Sequence, residues 1–402
     1  VRVTALLLRG ILDSRGEPTV EAELELSSGH RGRGSAPRAI APGRLERSLG
    51  DPDRIGRFPS PALAARLTAA RDLDQPGLDA LLTAAHDEGA AGAATTLAVS
   101  LAFARAAADA RGEPLHRALA AQAGSRPALP RLMVNVFSGG IHRREAADGF
   151  QQVMLLPAGD CLTDDVRVAA LVHRRAEELA VERFGTVALS ASSGLLAPVG
   201  TVGQLELLEK AVADTPGGDR CTVGVDVAAE HLLADDGRYR FDGGRYEPGA
   251  FAELLAELVE RHRITFLEDP FDPAHQPWWR RLRGRLPASA AVVGDDLFAT
   301  DAARIDRSLA DGVLLKPSQV GTVSGTLAAA AAARDAGMLL AVSHRSGETE
   351  DTAMCDLAVA VGAELIKIGG PRRGDRLVKY NQLLRLAEEL PSGASPSGIR
   401  AD

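Results

Sequence analysis

Apolar and polar residues alternate from Val20 to Leu26 in PTVEAELELSSG and stop at a Ser-Ser-Gly turn, which predicts a half-buried antiparallel strand. From about Pro61 to Ala121 the period turns helical and alanine-rich, as in TTLAVSLAFARAAADARG, with Gly112 as the stop signal. Between them GRGSAPRAIAPGR, residues 32–44, is rich in Gly, Pro and Ala and long enough to form a mobile flap. These patterns predict an α+β domain over residues 1–125. From about residue 130 short apolar runs alternate with helix-length segments: QQVMLLP (151–157), TVALS (186–190), TVGVD (222–226), ITFLE (264–268), AAVVGDD (290–296), GVLLK (312–316), MLLAVSH (338–344) and ELIK (364–367). Eight such runs predict an α/β domain over residues 126–402, built as an eight-stranded β/α barrel.

The active site of such a barrel lies at the C-terminal ends of its strands, so the polar residues that end the runs are the informative ones. They are Gln152, Ser193 just after the second run, Asp226, Glu268, Asp295, Lys316, His344 and Lys367. Any one carboxylate would be an ordinary solvated strand end, but Asp226, Glu268 and Asp295 end three successive runs. Crowded at one mouth they repel unless a cation joins them, and an all-oxygen set suits Mg²⁺. Lys316 and Lys367 either neutralise these acids or divide the work of a proton abstraction, one as general base and one against the developing negative charge. SHRSGETEDT adds His344, Arg345 and Ser346, a group able to grip a phosphate or phosphonate.

A net charge of -8 and the absence of a basic tail give no reason to expect nucleic acid. WWRRLRGR, 278–285, is the one local exception, and an outer helix with snorkelling arginines accounts for it equally. Three scattered cysteines suggest neither disulfides nor zinc and fit a reducing cytoplasm. No membrane span and no cleaved leader are expected.

LDSRGEPTVEAELELSSG, FLEDPFD, GDDLFAT, LLKPSQVGT, SHRSGETEDT and KYNQLLRLAEEL, in that order from near residue 12 to near residue 390, resemble the signature segments of enolase. The resemblance implies a small N-terminal α+β domain, a TIM-like barrel whose first strands depart from the usual order, and a homodimer. It also implies Mg²⁺ on Asp226, Glu268 and Asp295, Lys316 as the base at C2 of 2-phosphoglycerate, and Lys367 on the carboxylate. Arg345 and Ser346 would take the phosphate, and His142 matches the histidine of an active-site loop.

The chain departs from that pattern where enolases keep their acids. ASSGLLAP, 191–198, puts Ser193 in place of the glutamate that assists loss of the C3 hydroxyl, and Gln151-Gln152 replaces a Gln-Glu pair. The flap reads RAIAP, with Ala41 where a hydroxyl would reach a second Mg²⁺. Losing one such acid typically costs about two to four decades of rate. Arg38, Arg143 and Arg144 stand where enolases have small or uncharged residues, a swing of about five charge units toward positive if all three face the mouth. The pattern resembles the carboxyphosphonoenolpyruvate synthases of phosphinothricin-type phosphonate pathways. It implies a phosphorylated three-carbon carboxylate joined to a second anion, a nucleotide-activated phosphonoformyl donor, with Gln152, Ser193 and the three arginines on the substrates. Slow ordinary enolase activity and a non-catalytic binding or scaffold role are the competing expectations.

Overall fold

The structure, a computed structural model, describes residues 1–40, 42–48, 50, 55–140 and 148–390. The chain opens with β1 (Val3–Leu12), β2 (Pro18–Leu26), β3 (Arg31–Ser35) and β4 (Gly56–Phe58), an antiparallel sheet in the order β3-β2-β1-β4. Four helices follow: α1 (Pro61–Ala69), α2 (Gln75–Asp87), α3 (Ala93–Asp109) and α4 (Leu115–Ala123). The alanine-rich α3 is buried along most of its length, and it ends just before Gly112, which takes a left-handed turn at φ 65°. Small residues let the two layers touch backbone to backbone. A Cβ on Gly32 or Gly34 would collide with the carbonyls of Ala102 or Ala98 in α3. The expected flap is therefore shorter than its composition suggested, because Arg31–Ser35 pairs with β2 and only the residues after Ser35 leave the sheet.

The second domain carries β5 (Arg131–Ser138), β6 (Gln152–Pro157), α5 (Leu162–Phe184), the short pair β7 (Ala188–Leu189) and β8 (Leu195–Leu196), and α6 (Thr201–Ala213). It continues with β9 (Cys221–Asp226), the hairpin β10 (Tyr239–Phe241) and β11 (Gly244–Tyr246), α7 (Pro248–Arg261), β12 (Ile264–Glu268), α8 (Gln276–Arg285) and β13 (Ala291–Gly294). Last come β14 (Gly312–Leu315), α9 (Pro317–Val320), α10 (Val323–Asp335), β15 (Leu339–Ser343), α11 (Ala353–Ala360), β16 (Leu365–Lys367) and α12 (Gly374–Glu389). Eight strands close a barrel in the order β5, β6, β9, β12, β13, β14, β15, β16, with β16 pairing back onto β5. β6 runs antiparallel to both its neighbours, and every other contact around the ring is parallel.

One expected strand is wrong. TVALS, 186–190, contributes only the two-residue β7, half exposed and hydrogen-bonded to β8 outside the ring. Its place belongs to RLMVNVFS, 131–138, whose polar residues broke the apolar run yet are buried where the strand closes the barrel.

Met133, Met154, Phe266, Val293, Leu314 and Leu365 belong to an apolar cluster separate from the main core, drawn from successive barrel strands. This plug fills the lumen below the C-terminal strand ends. β9 sends Gly224 to the same level, where a side chain would strike Leu156 and Phe266. The aromatic-basic segment forms α8, with Trp279 fully buried, Arg281 over the ring of Trp278, and Arg283 and Arg285 paired with Asp311 and Glu260. It is an outer barrel helix. Among the described residues no helix is long and apolar enough to cross a membrane.

Candidate active site

The site follows from the two-residue period of a strand. Two residues beyond each lumen plug residue, on the same face, comes a polar one: Asp226 beyond Gly224, Glu268 beyond Phe266, Asp295 beyond Val293, Lys316 beyond Leu314 and Lys367 beyond Leu365. Ser343 and Asn135 complete the parallel strands, and Gln152 comes from the antiparallel β6. Register fixes the neighbours: Gln152 lies opposite Asp226, Asp226 opposite Glu268, and Ser343 opposite Lys367. Above the ring lies a cavity walled by the ring, by Ala39, Ile40 and Glu46 of the N-terminal domain, and by the segment from His344 to Ser346.

The charges are paired. Lys367 donates to Asp226 Oδ2 at 2.8 Å and to Glu268 Oε2 at 2.7 Å, and all three groups are buried. Lys316 pairs with Asp295, whose other oxygen accepts from Gln319 Nε2 at 2.9 Å. Burial pushes Glu268 up to about 8, the adjacent Asp226 adds to it, and Lys367 offsets only part. Burial also opposes the charge on Asp295, but Lys316 outweighs it and holds this carboxyl below the usual range. For Lys316 burial disfavours the ammonium, yet Asp295 prevails and the pKa is raised.

His344 is held well below the ordinary imidazole range by burial first and by the Arg376 guanidinium second. Arginine only donates, so the His344 Nδ1 that meets Arg376 Nη1 is the bare nitrogen and Nε2–H is left as the donor. Arg345 makes a two-toothed pair with Glu46 at 2.8 Å on each arm and donates to Ser318 Oγ at 2.9 Å. Ser346 Oγ accepts from the Ile40 amide at 2.7 Å, which ties the flap down to this wall.

The structure thus brings together Asp226, Glu268, Asp295, Lys316, Lys367, Gln152, His344, Arg345 and Ser346. It does not bring Arg38 or the Ser193 side chain to the cavity. The guanidinium of Arg38 donates to the Pro18 carbonyl, and its backbone forms a bridge with Gly347. Ser193 is fully buried, with its hydroxyl on the Arg372 carbonyl at 3.0 Å, and the neighbouring Ser192 lines the cavity. His142, Arg143 and Arg144 lie outside the described residues, as does Ala41.

Four titratable lining residues were not foreseen: Glu46, His231, Asp269 and Asp296. Asp296 is pushed up to about 8 by burial and then by Asp295 beside it. Asp269 accepts the amides of Asp295 and Asp296 at 2.9 and 2.8 Å, which makes it a clasp for the end of β13. With these included, five lining carboxylates face three lining cations among the described residues.

An excess of buried carboxylates fits a divalent cation. Glu268 Oε1 is a sealed acceptor with no hydrogen-bond partner, and the carboxylates of Asp269, Asp295 and Asp296 come within 4.8 Å of one another. Hard oxygen donors without a nearby thiolate suit Mg²⁺.

The enolase N-terminal domain family model matches residues 3–119, and that of the enolase C-terminal TIM barrel domain matches residues 126–402. The chain belongs to the enolase family. Mg²⁺ is the ion this family generally uses, in keeping with the donor set above. The strand ends of this chain carry the acids and lysines that the resemblance implies there, while an amide, Gln152, and a serine turned away from the cavity, Ser193, stand where it implies glutamates.

Proposed function

We propose that this enolase-family chain is a Mg²⁺-dependent, homodimeric enzyme of phosphonate assembly. Its substrates would be a phosphorylated three-carbon carboxylate and a nucleotide-activated phosphonoformyl donor, and its product carboxyphosphonoenolpyruvate or a precursor. Asp226, Glu268 and Asp295 would hold the ion, which supplies positive charge against the substrate carboxylate. With Asp295 committed to the ion, Lys316 would be released from that pair to take the proton at C2, Lys367 would stand against the carboxylate, and Arg345 with Ser346 and the Nε2–H of His344 would receive phosphate oxygens. In the exchange water takes the phosphoryl group from the C2 oxygen, which bonds the phosphonate phosphorus as the nucleotide departs; from a phosphoglycerate the enol then forms in a slower step, in which the C2 proton goes to Lys316 and the C3 hydroxyl leaves as water.

The observation that carries this reading is Gln152. In the closed ring β6 and β14 lie four strands apart, so Gln152 stands across the lumen from Lys316. An anti elimination of water needs a proton donor on the wall opposite the base, and an amide does not supply one. The base is kept, whereas the wall opposite it offers the amide of Gln152, and Ser193, which the resemblance puts in place of the acid for the C3 hydroxyl, turns its own hydroxyl to the Arg372 carbonyl; both favour a reaction other than rapid dehydration.

Phosphorus NMR of the protein with Mg²⁺ and 2-phosphoglycerate, with and without cytidylyl-activated phosphonoformate, tests it. A new phosphonate ester formed only with both substrates is the expected result. Rapid conversion of 2-phosphoglycerate alone to phosphoenolpyruvate would instead make the chain an ordinary enolase.

A further inference from the structure

Each formal cation that lines the cavity among the described residues already has a carboxylate: Lys316 has Asp295, Lys367 has Asp226 and Glu268, and Arg345 has Glu46. Two other lining side chains have nothing. The Gln152 side chain makes no hydrogen bond among the described residues although the residue is only 4% exposed, and its Oε1 is sealed without a partner. The half-buried imidazole of His231 likewise has no hydrogen-bond or ion-pair partner among the described residues.

The sealed Oε1 cannot meet an anion, but the Nε2–H group has no partner either and is not sealed, so at a cavity wall it calls for an acceptor atom of a ligand. His231 is well placed to share it. It ends a single 3-10 turn, Ala229–His231, that leaves β9 directly after Asp226, the residue opposite Gln152. That turn is stapled to β12: Val227 donates to the Glu268 carbonyl at 3.0 Å and Ala229 to that of Asp269 at 3.1 Å. The imidazole is therefore presented by rigid backbone, as a binding group must be if it is to hold its geometry. β6 and β9 stand four strands from β14 and β15, so this pair forms the wall facing Lys316, Arg345 and Ser346.

We propose that Gln152 and His231 form a seat for the phosphonate oxygens of the second substrate, with His231 a contact residue of that substrate. A tetrahedral oxyanion offers several acceptor lone pairs at once, and each of the two side chains has an N–H to give. The assignment rests on the second-anion reading above, and it separates the two ligands by wall: the phosphorylated acid against Lys316 and Arg345, the phosphonate against Gln152 and His231.

Calorimetric titration of the Mg²⁺-loaded protein with phosphonoformate, and separately with 2-phosphoglycerate, tests it. His231→Ala and Gln152→Ala should each weaken phosphonoformate about tenfold or more while leaving 2-phosphoglycerate within about twofold, which also reports that the fold is intact. His231→Gln, which keeps a donor, should recover part of the loss. Wild-type affinity for phosphonoformate in both alanine variants would overturn the seat and leave the second-anion reading standing. Equal weakening of both ligands would make His231 a support of the whole mouth and would also overturn it. Wild-type protein that binds 2-phosphoglycerate but no phosphonoformate would remove both readings together.

Discussion

Lys316 and Lys367 stand two strands apart with the same charge, yet their surroundings give them different work. Lys316 is one-seventh exposed at the cavity wall and paired with one carboxylate, whereas Lys367 is sealed between two. Lys316→Ala should therefore abolish exchange of the C2 hydrogen of 2-phosphoglycerate with deuterated water, by about two decades or more. Unchanged exchange by proton NMR would remove it as the base. Lys367→Ala leaves Asp226 and Glu268 as buried, unpaired acids, a loss on the order of 3 kcal/mol. A dication held by the same acids replaces that charge, so the loss of thermal stability should be large in EDTA and small in millimolar Mg²⁺. An equal loss in both conditions would mean that these acids do not hold the ion. Both lysines were legible because each ends an apolar run. Glu46 and His231 were not, because a flap and a 3-10 turn carry no period that aims a side chain.

The turn between β7 and β8 shows how a secondary element supports the site. Ser193 sits there at φ 61°, a left-handed position unfavourable for a non-glycine residue, and its carbonyl lies 2.9 Å from Nε2 of His173 on α5. A carbonyl only accepts, so Nε2 carries the proton, and Nδ1 is a bare buried nitrogen with no partner. Burial chiefly, with the Arg372 charge adding to it, holds His173 below its ordinary value, while the Ser193 carbonyl opposes the shift. The unfolded chain takes up a proton as pH falls through about 6.5 and the folded one does not, so this histidine subtracts stability on acidification, by up to about 1.4 kcal/mol per pH unit. His173→Gln, which keeps the donor to Ser193, should flatten the decline in urea midpoint between pH 7 and pH 5. An identical decline would show that His173 is not its source. The same region explains why one strand was misread. Apolarity alone selected TVALS, whereas the true first strand carries Asn135 and Ser138, buried and bonded to each other at 2.9 Å. A polar pair satisfied inside the barrel cannot be told from a loop in a single sequence.

The mouth of the barrel is complete only because the N-terminal domain closes over it, and beside a shared apolar core a set of polar contacts clasps the two. Arg105 of α3 forms a two-toothed pair with Asp351, at 2.7 Å on each arm, and the Ser35 amide donates to the same carboxylate at 3.0 Å. Asp79 of α2 accepts the Ser324 amide at the start of α10 at 2.8 Å, and Ser100 Oγ accepts that of Val323 at 2.9 Å. Ser35 is the last residue of β3 before the flap, so the Asp351 clasp fixes the point from which Ile40 and Glu46 reach the site. Burial opposes the Asp351 charge, but Arg105 outweighs it and holds the carboxyl below its usual range. Its contribution to stability is therefore present above about pH 4 and lost as pH falls through the depressed value. Asp351→Ala should cost about 3 kcal/mol near neutrality, a gap that narrows below about pH 4, because Arg105 is left partly buried without its partner. It should also weaken 2-phosphoglycerate binding although the residue does not line the cavity, since the flap loses its anchor. Destabilisation with unchanged affinity would mean that the flap is positioned from the barrel side alone, through the bridge between Arg38 and Gly347 and the bond from Ile40 to Ser346.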